Sequence, residues 1–271
     1  MRIASNGIQL HVEDQGNGSP ALVFLHYWGG SSRTWNDVIA ALANSYRTVA
    51  PDHRGWGNSD APASGYALAD FADDAQQVIA SLGLQQFVVI GHSMGGKIAQ
   101  LLASRRPSGL AGLVLVAPSP PTPLALPPEA RAAIEQAYVS RESINMAIDQ
   151  MLTAKALSPK HREQVVEDSL RGADQAKAAW PKSTSQEGIT AAVAAINVPT
   201  LVIAGELDRI DSVATLEAEL LTRIPHATMR VLPGTGHLSP LESPTGVAAL
   251  IDEFVDGLEH VSAAANAANA A

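Results

Sequence analysis

The chain has 271 residues, 46% of them hydrophobic, with 18 Lys+Arg against 27 Asp+Glu and a formal net charge of −9. That length holds one large α/β domain or two small ones, of which one is the simpler reading; the acidic balance, with no Lys/Arg cluster to offset it, excludes a polyanion-binding surface and makes nucleic acid an unexpected partner. The sequence contains no cysteine, which rules out disulfides, thiolate metal sites and thiol nucleophiles.

From the N-terminus, Met1–Gly7 has no apolar h-region, and no later segment reaches the roughly 18 uninterrupted apolar residues of a membrane span, so the expectation is a soluble cytoplasmic protein without membrane contact. Ile8–Glu13 alternates as an edge strand does, and Gly16-Asn17-Gly18-Ser19-Pro20 supplies a turn. Ala21–Leu25 is a continuous apolar run of the kind buried on both faces of a parallel sheet; similar runs recur at Tyr46–Ala50, Phe87–Ile90, Leu110–Ala117, Thr200–Ala204 and Thr228–Leu232. Between them, Trp35–Ala43, Leu68–Leu82, Lys97–Ser104, Val213–Leu221 and Val247–Leu258 carry apolar residues at helical spacing. Strand and helix therefore alternate as in a doubly wound sheet.

The alternation breaks after Ala117. Pro118, Pro120, Pro121, Pro123, Pro127 and Pro128 stiffen the exit from the sheet, and Glu129–Ala179 is almost wholly helix-forming. A helical insertion at the carboxyl end of a strand lands over the crevice where open α/β sheets bind ligands, which predicts a lid over residues 118–198. Trp180-Pro181 is expected at its end. The core is then residues 1–117 and 199–260, and the alanine- and asparagine-rich stretch 261–271 is a low-complexity tail expected to fray.

Gly91-His92-Ser93-Met94-Gly95, following Phe87–Ile90 and leading into a helical pattern, reads as a nucleophile elbow. A serine displayed on a tight strand-to-helix turn leaves no room for side chains two positions before and after it. A serine hydroxyl needs a base within hydrogen-bond reach and a group to orient that base. Of eight histidines, His237 sits in the loop Pro233-Gly234-Thr235-Gly236-His237 after an apolar strand, while His92 within the elbow is read as structural. The buried run Leu201–Ala204 ends at Gly205 and delivers Asp208 to the same sheet edge, with Glu206 and Asp211 as rivals in that loop. The chain order is then serine, acid, histidine.

An oxyanion hole needs two backbone N–H groups aimed where negative charge develops. Met94, directly after the serine at a helix N-terminus, supplies one. The other comes from His26-Tyr27-Trp28-Gly29-Gly30-Ser31, where the N–H is assigned to Trp28. Tyr27, Trp28 and Trp180 are candidate substrate contacts. Lys97 is expected at the edge of the helix packing, and Asp52, Arg54 and Asp60 are expected to brace the loop after the fourth strand. His161 with Glu163 and Glu167 reads as a solvated helix face, so neither a metal nor a cofactor is expected.

Taken with Pro51-Asp52-His53-Arg54-Gly55-Trp56-Gly57-Asn58-Ser59-Asp60 and Gly234-Thr235-Gly236-His237, the elbow resembles the α/β-hydrolase superfamily over most of the chain. The resemblance implies a mostly parallel sheet with a helical cap inserted after its sixth strand. Among its members the chain is most similar to small serine esterases, lactonases and cofactor-free haloperoxidase or perhydrolase-like enzymes. Ser93 counts against the dehalogenases and epoxide hydrolases of this fold, which use an aspartate nucleophile. The family's usual His-Gly after its third strand is His26-Tyr27 here, which leaves the oxyanion donor open by one position around Trp28. The expected function is cleavage of small to medium neutral esters through Ser93, His237 and Asp208, with a lactone as the alternative small-molecule substrate and perhydrolysis as a further alternative. A ligand receptor that keeps the triad is the competing reading from another class. Oligomeric state is not written in these motifs.

Overall fold

The computed structural model describes the backbone of residues 1–269 and the side chains of residues 1–258. Eight strands form one sheet: β1 (Arg2–Ser5), β2 (Ile8–Gln15), β3 (Ala21–Leu25), β4 (Thr48–Pro51), β5 (Phe87–His92), β6 (Leu110–Val116), β7 (Thr200–Gly205) and β8 (Ala227–Leu232). Their spatial order is β1-β2-β4-β3-β5-β6-β7-β8. β2 runs antiparallel to β1 and β4, and all pairs from β4 to β8 are parallel.

The apolar runs are continuous because both faces are covered. In β3, Leu22 and Phe24 join the cluster built with α1 (Asn36–Leu42) and α11 (Pro244–Asn269), while Val23 and Leu25 join the cluster built with α2 (Leu68–Ser81) and α3 (Met94–Ser104). The period-2 geometry of a strand sends neighbours to opposite faces, so a strand between two helical layers must be apolar at every position.

Several elements depart from the sequence expectation. No strand is predicted before Ile8, yet β1 pairs with β2 from Arg2↔His11 to Ser5↔Ile8 around Asn6-Gly7. Both turn residues have positive φ, +47° and +83°, as a two-residue hairpin turn requires. Thr228–Leu232 is expected to be buried on both faces, but β8 is an edge strand with Val231 42% exposed, because only β7 flanks it. Glu129–Ala179 is broken into α4 (Pro128–Glu135), α5 (Arg141–Ala147), a π-turn (Ile148–Leu152), α6 (Pro159–Arg171) and α7 (Asp174–Lys182). Trp180 and Pro181 lie in the last turn of α7, and short helical turns follow at Thr184–Gln186 and α8 (Thr190–Val193). After β7 the expected helix is α9 (Val213–Leu216) continued by a π-turn, and α10 (Ser239–Glu242) precedes α11. α11 continues to Asn269, through most of the tail for which fraying is expected, in keeping with the helix propensity of alanine. The side chains after residue 258, and residues 270 and 271, lie outside the described residues.

The strand order reverses between β3 and β5: the chain moves outward from β3 to β4 and then crosses back to β5. This topological switch point opens a crevice at the carboxyl ends of β3 and β5. The helical segment between β6 and β7 lies against the loop after β3, with Tyr138 hydrogen-bonded to Trp28 O and Ser169 to Gly29 O.

Candidate active site

The turn from β5 into α3 is set by close backbone approach. A Cβ at Gly91 would meet the Gly95 carbonyl oxygen at 2.3 Å, and one at Gly95 would meet the Leu25 oxygen at 2.3 Å. Ser93 itself holds φ +53°, ψ −116°, a strained conformation for a residue with a side chain, costing about 1–3 kcal/mol. Its backbone is fixed by Ser93 N–H donating to Val116 O (3.2 Å) and by Ser119 N–H and Lys97 N–H donating to its carbonyl. The turn lifts Oγ above the sheet edge.

The loop after β8 brings His237 to the same place. Ser93 Oγ lies 2.8 Å from His237 Nε2, and His237 Nδ1 lies 2.9 Å from Asp208 Oδ2. A carboxylate only accepts, so Nδ1 carries the proton and Nε2 is left to accept from the serine hydroxyl. Asp208 Oδ1 accepts from the N–H groups of Ile210 (2.8 Å) and Asp211 (3.1 Å). Burial pushes the Asp208 carboxyl up, but His237 and these two N–H groups outweigh it, and the group is held below the usual aspartate value. Burial likewise pulls the His237 imidazolium down, and Asp208, Asp211 and Glu242 together raise it above the ordinary histidine value. Glu206 accepts from Gly234 N–H (2.7 Å), bracing the histidine loop from outside.

His92 is buried, and its Nε2–H donates to the His237 carbonyl (2.8 Å) while its ring lies 5.4 Å from the His237 ring. Burial and the neighbouring His237 push it down to about 3, so it is neutral. His26 plays a related part at β3. Its Nδ1–H donates to Tyr27 O (2.7 Å), which also accepts from Gly30 N–H (3.1 Å), and its Nε2 accepts from His53 N–H (2.9 Å). With the Tyr27 carbonyl held on one side, the N–H of the same peptide, that of Trp28, points the opposite way. Among the described residues it donates to no backbone or side-chain acceptor. Met94 is the first residue of α3, so its N–H has no intrahelical acceptor either.

The candidate substrate contacts are placed as follows. The Tyr27 ring packs 5.1 Å from that of His92. The Trp28 indole stacks on Tyr138 at 4.2 Å and meets the edge of Trp56 at 6.5 Å. Trp180 is buried in the same apolar cluster as Trp28 and Tyr138.

Three groups near the site carry more than sequence reasoning gives them. Lys97, expected at a packing edge, is fully buried, and its Nζ donates to Thr122 O (2.8 Å) and Ser185 O (3.4 Å). Burial lowers it to about 8, against the raising influence of Glu187 and Asp211. Asp211 is buried, and desolvation with Asp208 raises it to about 7 against His237 and Lys97. Glu242 accepts from Ala154, Lys155 and Gly236 N–H, tying the helical segment to the histidine loop. None follows from motif or periodicity, because each depends on a partner far away in sequence. His161, expected on a solvated face, instead contacts Asp37 of α1 (2.7 Å). The loop after β4 is braced as expected: Asp52 accepts from Ser32 and Asn58 N–H, Arg54 pairs with Asp74, and Asp60 accepts from Gln9 N–H. A separate cleft of about 440 Å³, lined by Ser31, Arg33, Asp52, Asn58, Asp168 and Arg171 among others, contains neither Ser93 nor His237.

Chemically, the arrangement offers a hydroxyl whose proton has an acceptor, a base held in one tautomer, and two backbone N–H groups, Trp28 on the loop after β3 and Met94 at the N-terminus of α3, without an acceptor among the described residues. Residues 20–244 match the family described as the alpha/beta hydrolase fold. A non-heme haloperoxidase from Rhodococcus erythropolis is 30% identical over 250 residues, 86% of this chain and 91% of that one. An esterase from Thermogutta terrifontis, solved with malate bound, superposes with a TM-score of 0.83 at 26% identity, covering 95% of this chain and 98% of its own. Est816, described as an N-acyl homoserine lactone degrading enzyme, gives a TM-score of 0.83 at 27% identity, with 94% and 100% coverage.

Proposed function

The chain belongs to the α/β-hydrolase fold family, and from that premise we propose that it is a serine hydrolase cleaving small to medium neutral carboxylic esters through an acyl-enzyme. The observation that carries this reading is His237, which bridges Ser93 Oγ at 2.8 Å and Asp208 Oδ2 at 2.9 Å.

In the first half-reaction Ser93 Oγ bonds to the ester carbonyl carbon as its proton passes to His237 Nε2. Asp208 keeps Nδ1–H oriented and stabilises the imidazolium without taking the proton. The carbonyl oxygen becomes an oxyanion between the N–H groups of Trp28 and Met94. Collapse of this intermediate breaks the C–O bond to the alcohol, which leaves with the proton from His237. Water then gives its proton to His237 and attacks the acyl carbon, and Ser93 leaves with that proton as the acid is released.

An acyl group beside the Trp28 indole meets aromatic surface, which suits a neutral apolar chain; Tyr27 and Trp180 complete the proposed substrate contacts. Lactone opening uses the same steps, with the alcohol tethered to the acyl part, and the likeness to Est816 favours it as the second reading. The cysteine-free composition supports a cytoplasmic setting; among the described residues no helix is long and apolar enough to cross a membrane.

A fluorophosphonate probe tests the chemistry: mass spectrometry should find one adduct, on Ser93, and Ser93→Ala should lose both the adduct and several orders of magnitude in kcat. Labelling elsewhere, or full activity in Ser93→Ala, would overturn the mechanism. A panel of short and long p-nitrophenyl esters, γ-lactones and N-acyl homoserine lactones separates the two readings.

A further inference from the structure

Tyr138 stands between α4 and α5 in the helical segment and is buried, although the function proposed above gives it no step. Its hydroxyl donates to Trp28 O (3.1 Å), and its ring stacks on the Trp28 indole with centroids 4.2 Å apart and planes at 29°. It also fills the space over Gly29: a Cβ there would lie 2.3 Å from Tyr138 Cε2, and Gly29 adopts φ +98°. Ser169 of α6 adds a second bond from the same segment, its Oγ donating to Gly29 O (3.0 Å).

These contacts act on the loop whose peptide orientation decides where the Trp28 N–H points. The Tyr27–Trp28 peptide is held by His26 and Gly30 at the Tyr27 carbonyl. The next peptide, Trp28–Gly29, is held at the Trp28 carbonyl by Tyr138. With the Trp28 carbonyl and indole both held by Tyr138, any rotation about the Trp28 N–Cα bond that moves the residue must break the bond and the stack, so the backbone on the carboxyl side of the Trp28 N–H is fixed.

We propose that Tyr138 is a positioning residue that locks the oxyanion-hole loop, so that the docked helical segment adds its hold on Trp28 to that of His26 and Gly30 and keeps the donor in line. This rests on the reading of Trp28 N–H as an oxyanion donor. A donor out of line by a fraction of an ångström loses most of its worth in the transition state and little in the ground state. The signature is therefore a fall in kcat at constant KM.

The test compares wild type, Tyr138→Phe and Tyr138→Ala with p-nitrophenyl acetate, with phenylboronic acid as a tetrahedral-anion mimic, and with the phosphonate probe. Tyr138→Phe removes one hydrogen bond and should lower kcat by about 3- to 10-fold, with KM within about twofold. Phenylboronic acid should weaken by the same factor. Tyr138→Ala, which also removes the stack, should approach the roughly 10²-fold loss expected for a missing oxyanion donor. Thermal melting of each variant separates this from unfolding, since a fall in melting temperature with unchanged kcat and boronate affinity makes Tyr138 a packing residue and overturns the proposal. A change confined to KM makes it a substrate contact and overturns it as well. Wild-type protein that neither turns over the ester nor takes the phosphonate on Ser93 overturns the underlying function; wild type that does both, with Tyr138→Phe unchanged, overturns this inference alone.

Discussion

At the residue scale the site contains, besides Asp208, a buried carboxyl that the proposed mechanism does not use. Asp211 lies in the loop of Asp208, buried and raised to about 7 by desolvation and by Asp208. A raised aspartate means that the folded state binds the proton more tightly than the unfolded chain, so stability falls as pH rises between the ordinary value of 3.8 and about 7. Asp211→Asn removes that penalty. Urea denaturation should find the variant more stable than wild type at pH 8, by up to about 4 kcal/mol at roughly 1.4 kcal/mol per pH unit of displacement, with the gain vanishing toward pH 4. The same substitution removes a negative charge that raises His237. His237 must be neutral to accept the serine proton, so kcat/KM should fall on acidification through a value above the ordinary histidine range, and that limb should move to lower pH in Asp211→Asn. The limb belongs to the coupled carboxyl–imidazole group and not to His237 alone.

At the element scale, α3 serves two purposes at once. Its N-terminus presents Ser93 and the Met94 N–H, and one and two turns later Lys97 and Gln100 hold the helical segment: Lys97 through Thr122 and Ser185, Gln100 through Ser119 (2.9 Å). Both ends of that segment are thus fastened to the helix that carries the nucleophile. Burial of the Lys97 ammonium lowers it to about 8. From about pH 8 up to its ordinary value the unfolded chain binds the proton more tightly than the folded one, so this contribution makes stability rise with pH. Between pH 8 and pH 10 wild type should therefore gain stability relative to Lys97→Met, measured by urea denaturation at both values. A constant difference would show that Lys97 keeps an ordinary affinity for its proton. The β1–β2 hairpin illustrates legibility at this scale. Asn6-Gly7 is a strong hairpin signal, but four residues of β1 are too few to reveal a period, so the turn, not the strand pattern, had to be read.

Across the whole molecule, Asp74 of α2 binds together parts that are distant in sequence. It pairs with Arg54 through two bonds of 2.6 and 2.7 Å and accepts from Ser5 Oγ of β1 (2.6 Å). Arg54→Met leaves a buried carboxylate with one hydroxyl partner, which should cost about 3–5 kcal/mol and lower the melting temperature by roughly 10 °C. A change of a degree or two would mean that water replaces the guanidinium. The parallel sheet, its two helical layers and the insertion after β6 were legible because burial on both faces leaves unbroken apolar runs, and because six prolines mark where the chain leaves the sheet. The elbow was legible because its glycines recur at a fixed spacing around the serine, Gly91 for the approach of Gly95 and Gly95 for the approach of the β3 backbone at Leu25. The breaks among α4–α7 were not, since helix-forming composition says where helices can exist and not where packing ends them.

Sequence by itself determined the central parallel strands, the helices that alternate with them, and the chain order of Ser93, Asp208 and His237, because backbone sterics and burial act on neighbours along the chain. Tertiary structure alone decided the contacts that unite them: His92 holding the His237 carbonyl, Glu242 joining the histidine loop to Ala154, Lys97 gripping Thr122 and Ser185, and Tyr138 lying over Gly29. Each joins residues tens to more than a hundred positions apart. A hydrogen bond at that separation leaves no period and no spacing in the sequence, since its geometry exists only after the chain has closed on itself.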